Sequence, residues 1–249
     1  QWLGGLGIVV ISMALLPLIG TGATQIFGAE TNGLRVDKLR PKITETAQRL
    51  FGIYVVLSAA NVLMYALGPM SWYDSVVHTF STMASGGFST HSSSIGFFHS
   101  RYVEYVCILF TFLTSVNFNL YYFFGKGKWN YFWKNEELRW FCFIVMGFTG
   151  LFMFLNYLTS VSPTTTPEQL ATLGDGTFEC NFRSSLFHTL SIVSSAGFQS
   201  EYFDYVMWGS LFWLPTLLLM VMGGCTSSTA GGLKVVRFVV LLKNMKNEF

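Results

Sequence analysis

His78-Thr79-Phe80-Ser81-Thr82-Met83-Ala84-Ser85-Gly86-Gly87-Phe88 returns 110 residues later as His188-Thr189-Leu190-Ser191-Ile192-Val193-Ser194-Ser195-Ala196-Gly197-Phe198. His, Thr, Ser, Ser, Gly and Phe recur at identical offsets, and long apolar segments flank each copy. A polar, glycine-bearing stretch repeated inside apolar surroundings reads as a pore-lining loop built by duplication.

The surroundings are those of a membrane protein. Hydrophobic residues make up 51% of the 249 and charged residues 11%, with 25 Phe and 7 Trp. A soluble globule carries about a quarter charged residues, and the apolar runs here are long enough to cross a bilayer. Placement of charge sets the orientation. Arg35, Lys38, Arg40, Lys42 and Arg49 cluster in 28–49, and Lys126, Lys128, Lys134 and Arg139 in 125–139. The connection 159–185 instead holds Glu168, Asp175 and Glu179 against a lone Arg183. By the positive-inside rule the two basic connections and the tail from Lys243 face the cytoplasm, and the acidic one faces out.

Outward from the repeat, the fold class is an all-α polytopic membrane protein. It consists of repeated helix–pore loop–helix units with re-entrant short helices and an interrupted final helix. Residues 1–27 read as the last transmembrane helix of a preceding unit, with a span at about 3–24 bent at Pro17. A basic connector at 28–49 follows. The unit 50–124 contains a span at about 48–67, a short helix Tyr73–Ala84 with Asp74 near its start, the Gly-Phe loop, and a full span at about 102–124. After the connector 125–139, the unit 140–242 repeats the order, with a span at about 140–158 and a short helix at about Arg183–Ser194. Its last helix, apolar from near Tyr205, is interrupted at Gly223–Gly232, and 243–249 begins a cytoplasmic linker. Both ends of the chain read as the interior of a longer protein.

A monovalent cation leaving water needs its hydration shell replaced, and backbone carbonyls do this without a fixed charge to trap it. Turning successive carbonyls toward one axis requires backbone angles that Gly adopts freely. The candidate filter residues are Ala84, Ser85, Gly86 and Gly87, with Ser194, Ser195, Ala196 and Gly197 in the second copy. Phe88 and Phe198 read as wedges against neighbouring helices, or as lipid-facing packing. His78 and His188 read as anchors of the short helices. Glu104, near an outer helix end, is expected to be wet or paired.

The run Gly223, Gly224, Cys225, Thr226, Ser227, Ser228, Thr229, Ala230, Gly231, Gly232 is a poor continuous helix. Non-helical backbone at membrane depth is tolerated only against protein or a water-filled cavity. It reads either as a constriction that opens and closes or as a static kink for close helix packing. Lys234 and Arg237 read either as intramembrane charges or as side chains snorkelling to the cytoplasmic surface. Cys107, Cys142, Cys180 and Cys225 have no metal-ligand spacing, and only Cys180 falls in an expected external loop. No nucleophile triad, carboxylate pair or phosphate-binding motif appears, so no enzyme, covalent cofactor or nucleic-acid partner is expected.

Thr82-Met83-Ala84-Ser85-Gly86-Gly87-Phe88-Ser89-Thr90, Ser195-Ala196-Gly197-Phe198, Gly223–Lys234 and the connector Ala29-Glu30-Thr31 through Arg40-Pro41-Lys42-Ile43 strongly resemble the Trk/Ktr potassium-uptake family, specifically its TrkH-type membrane subunit. The resemblance covers essentially the whole chain. It implies a multi-pass protein of the cell inner membrane that takes up potassium through four such units around one path. Gly87 and Gly197 would be filter glycines, and Gly223–Lys234 an intramembrane gate. It further implies a homodimer and a cytoplasmic nucleotide-binding regulatory subunit. By that pattern this chain holds the end of unit one and all of units two and three, and alone would not conduct. An ion-coupled secondary transporter of a small solute and a non-conducting regulatory membrane subunit are the alternatives.

Overall fold

The computed structural model describes residues 1–5, 7, 40–125, 127, 133–161, 176–200 and 212–248. The expected span at 3–24 beyond its first residues, the basic connector up to residue 39, the acidic stretch 162–175 and the apolar start at 201–211 lie outside them. The described residues are largely helical, and two helices are long and apolar enough to cross a membrane: Ala47–Ala66, with mean hydropathy 1.5, and Glu136–Ser160, with 1.9.

After the short α1 (Trp2–Gly5), α2 runs Arg40–Ala66. Pro41 sits in its first turn, where a missing N–H costs nothing, and Pro69 lies just beyond its end, where the chain cannot continue as helix. Helix α3 (Trp72–Met83) is capped by Ser71, whose hydroxyl accepts from the Asp74 N–H at 3.1 Å. Its 12 residues span about 18 Å, short of the ~30 Å hydrocarbon core. A single 3-10 turn, Ser94–Phe98, follows the Gly-Phe loop.

The expected continuous span at about 102–124 is instead two helices, α4 (Arg101–Ser115) and α5 (Phe118–Gly125), meeting at 94°. The break has local and remote causes. Asn117 turns its side-chain oxygen onto the Asn119 N–H at 3.0 Å, competing with the helix ladder. The Thr114 and Ser115 carbonyls then accept the N–H groups of Thr229 (3.2 Å) and Cys225 (2.9 Å).

Helix α6 (Glu136–Val161) is capped by Asn135, and α7 (Phe178–Val193) by Thr177. Helix α7 therefore starts about five residues before the expected Arg183, and Cys180 lies buried in its first turn rather than in a loop. Helices α8 (Trp213–Val221) and α9 (Val235–Glu248) flank the interruption, and α9 continues past the expected linker start at 243. The pairs α2–α3, α3–α4, α4–α7, α6–α7, α7–α8, α2–α5 and α6–α9 pack together.

The burial pattern is that of a protein solvated by lipid. Large apolar side chains such as Val56, Leu63, Phe143, Phe154 and Leu214 point outward from α2, α6 and α8, while α3 and α7 bury Ser75, His78, Thr79, Ser185, His188 and Thr189. Lipid tails are as apolar as Leu, so outward hydrophobic faces cost nothing there. Short helices with polar sides are thus kept at the centre.

Candidate functional site

Each short helix ends in the same way. The Ala84 N–H donates to Phe80 and the Ser85 N–H to Thr82; at matched positions Ser194 donates to Leu190 and Ser195 to Ile192, all within 3.3 Å. The chain then turns left-handed twice, at Ser85 (φ 51°) and Gly87 (φ 68°), and again at Ser195 (φ 62°) and Gly197 (φ 75°). Gly86 and Ala196, between them, are not left-handed. A left-handed residue with a Cβ costs about 1–2 kcal/mol; Ser85 and Ser195 carry that strain, Gly87 and Gly197 make the second left-handed turn without it, and the match marks one backbone design used twice.

The two loops abut. A Cβ built on Gly87 would lie 1.7 Å from the Ala196 carbonyl oxygen. Ala84 faces Gly5 of α1, and Gly86 faces the Gln1 side chain. Ser85 is buried, whereas Ser195 and Gly197 are exposed. The polar groups on these loops are backbone and hydroxyl groups rather than carboxylates. Among the described residues no group of three or more His, Cys, Asp or Glu could hold a metal ion.

Next to the repeat, Gly223–Gly232 is non-helical and pinned along its length. Its ends meet where the Gly223 N–H donates to the Leu233 carbonyl at 2.8 Å and the Leu233 N–H to Val221 at 3.0 Å. Gly223 has no room for a side chain there, since an added Cβ would sit 2.0 Å from the Gly231 oxygen. Cys225 and Thr229 are held by the carbonyls freed at the α4–α5 break, and Phe118 of α5 donates its N–H to Ser227 at 3.2 Å. The Ser228 hydroxyl donates to the Cys225 carbonyl, and the half-buried Lys234 ammonium to the Ala230 carbonyl, each at 2.5 Å. Gly224, Cys225 and Ala230 are buried, while Ser227, Gly231 and Gly232 face outward. The loop also touches both copies of the repeat. The Ser85 and Thr229 hydroxyls lie 3.0 Å apart, and a Cβ on Gly231 would meet the Ser195 hydroxyl at 3.0 Å.

The remaining candidates divide. His78 is tied at both ring nitrogens, donating from Nδ1 to the Asp74 carbonyl and accepting at Nε2 from the Ser89 hydroxyl, both at 2.8 Å; a carbonyl can only accept, which fixes the tautomer. His188 is buried edge-on against Phe152, with ring centroids 4.8 Å apart. Phe198 is buried as a wedge, but Phe88 is 66% exposed and packs as none within these residues.

Glu104, expected to be wet or paired, is the latter, and a second contact, at Glu137, escaped the sequence reading. Glu104 is buried and paired with Arg183 of α7, which also bonds Glu179 at 3.0 Å. Glu137, in the first turn of α6, is buried and accepts from Thr226. Partners 79 and 89 residues apart leave no local pattern; a charge inside an otherwise apolar segment was the available signal for Glu104 alone.

A family model described as TrkH, cation transport protein, matches residues 1–249. The chain is 36% identical over 252 residues to the Trk system potassium uptake protein TrkH of Halomonas elongata, covering 100% of this chain and 48% of that protein. It is 38% identical over 249 residues to the protein of the same name from Vibrio parahaemolyticus, covering 97% and 47%. The crystal structure of the potassium transporter TrkH from Vibrio parahaemolyticus superposes with a TM-score of 0.75 at 31% identity, covering all of this chain and 47% of that one. The chain spans about half the length of the curated relatives it matches.

Proposed function

The chain belongs to the TrkH cation transport family, and from that premise we propose that the full-length protein takes up potassium through the two repeated loops and gates the path at Gly223–Gly232. Members of that family are multi-pass proteins of the inner membrane, in keeping with the apolar helices here. Carbonyls of Ala84–Gly87 and Ser194–Gly197 replace the ion's hydration shell in this reading. The left-handed residues recurring at matched offsets in two abutting loops are the observation that carries it.

In the same reading, 50–124 and 140–242 are successive helix–pore loop–helix units and 1–27 ends a preceding one. Helices α3 and α7 are re-entrant, turning their negative C-terminal ends toward the ion. The basic connectors 28–49 and 125–139 and the tail from 243 lie in the cytoplasm, where a nucleotide-binding regulatory subunit engages a homodimer. In this reading the loop Gly223–Gly232 is the gate: it has no helical ladder of its own, and the hydrogen bonds that pin it to α4, α5 and α6 can be broken separately.

Gly197→Ser is the suited test, because a side chain there meets no neighbour within 4 Å. Potassium and sodium flux are measured in liposomes containing the full-length protein. Potassium-selective flux that loses selectivity in the variant is the expected result. Flux that depends on an organic solute and ignores the substitution would replace this reading with a coupled transporter.

A further inference from the structure

We propose that Glu137 is the positioning residue that latches the gating loop, a role that rests on the reading of Gly223–Gly232 as the gate. Both oxygens of its carboxylate are used by one loop residue. Oε1 accepts the Thr226 N–H at 2.5 Å, and Oε2 accepts the Thr226 hydroxyl at 2.9 Å. The same hydroxyl accepts from the Asn117 side-chain amide at 3.1 Å, and the Asn117 oxygen is held by the Asn119 N–H at 3.0 Å. A closed polar chain thus runs from the α4–α5 break, through Thr226, to the first turn of α6.

Glu137 is 8% exposed. A carboxylate so placed is costly without partners, and here two donors and the positive end of α6 compensate it. Charge-assisted bonds of this kind are about twice as strong as neutral ones. Thr226 lies between Cys225 and Thr229, which the α4 carbonyls hold. The carbonyls of Ser115 and Thr114 therefore tie the loop to the preceding unit, and Glu137 ties it to the first helix of its own. The neighbouring Glu136 binds Lys243 of α9 at 2.5 Å. Two adjacent glutamates at the start of α6 thereby grip the loop and the helix that follows it. Displacing that end of α6 carries Thr226 with it and releases the loop.

The test uses the full-length protein in liposomes, with potassium flux and the rate of maleimide labelling of Cys225 as readouts, the labelled peptide identified by mass. Cys225 is buried in the loop, so its labelling reports loop release independently of conduction. Glu137→Gln should raise both by about tenfold, the factor carried by loss of one charge-assisted hydrogen bond. Thr226→Val, which keeps the carboxylate and the backbone donor, should raise them less, and carries the test alone if Glu137→Gln does not assemble. Adding Thr226→Val to Glu137→Gln should add little, because both cut the same tie; independent increments would point to general loosening and overturn the latch. Alanine at Ser227, Ser228 and Thr229 serves as the control for the gate itself. Raised flux there with no effect at Glu137 or Thr226 overturns the latch and keeps the gate. No change in any variant overturns both.

Discussion

At Gly87 an added methyl group would sit 1.7 Å from the Ala196 carbonyl oxygen, whereas at the matching Gly197 it would meet nothing within 4 Å. The contrast extends along the repeat. Phe88 is 66% exposed and Phe198 1%. The Ser191 hydroxyl donates to the Phe198 carbonyl at 2.7 Å, while the Ser81 hydroxyl has no partner among the described residues. The chain path is nonetheless the same in both, including its two left-handed residues. Repeated residues therefore specify the backbone, and unrepeated neighbours set the cost of changing it.

The comparison breaks most visibly at the glycines. Gly87→Ala should abolish recovery of assembled full-length protein, since neither backbone can yield without moving a whole loop. Gly197→Ala should cost only the left-handed strain, about 1–2 kcal/mol. Yield and thermal melting of the two purified variants make the check, and equal losses would mean that the loops do not abut. Next comes the aromatic pair. Phe198→Ala leaves a cavity costing about 3 kcal/mol, while Phe88→Ala should fall within about 0.5 kcal/mol in melting experiments on the described unit pair within the full-length protein. A loss at Phe88 as large as at Phe198 would reveal a covering surface supplied from outside these residues. Smaller still, Ser191→Ala should lose about 1 kcal/mol, and Ser81→Ala should be neutral or slightly stabilising.

The gentlest test is pH. The Thr90 hydroxyl, and then that of Ser71, hold the Asp74 carboxyl below the usual range; the matching position in the second copy is Ser184. A lowered folded value means that the stabilisation is complete above the ordinary carboxyl range and fades as pH falls through the lowered value, below about pH 4. Hydrogen exchange should thus loosen the first turn of α3 on acidification through that range. Asp74→Asn should remove that pH dependence, and an unchanged profile in the variant would contradict it.

What the sequence revealed was whatever the residues decide locally. His78 to Phe88 and its echo announced a glycine-dependent turn in each copy, though not the left-handed Ser85 and Ser195, and the Gly223–Gly232 run announced a break in the last helix. The bend at Val116 was hidden because the long apolar run around it outweighed the polar Ser115 and Asn117 that flank it. Part of its cause lies in N–H groups of Cys225 and Thr229 that arrive more than a hundred residues later. Helix α7 was begun too late because Arg183 drew attention as a loop charge, while Thr177, the residue that caps it, was read as loop. The loop's grip on Glu137 was invisible for the same reason as the bend: Thr226 and a carboxylate at a helix start look solvated until the fold joins them.

The buried pair of Arg183 and Glu104 bears on how the protein is made. Glu104 is synthesised and delivered to the bilayer well before Arg183 emerges, and severing such a pair costs about 3–5 kcal/mol. Between those moments α4 carries a charge whose buried counter-ion does not yet exist. Helices α4 and α7 are consequently not independent passengers of the insertion machinery: the earlier one must wait, hydrated or guarded, until the later one arrives to neutralise it.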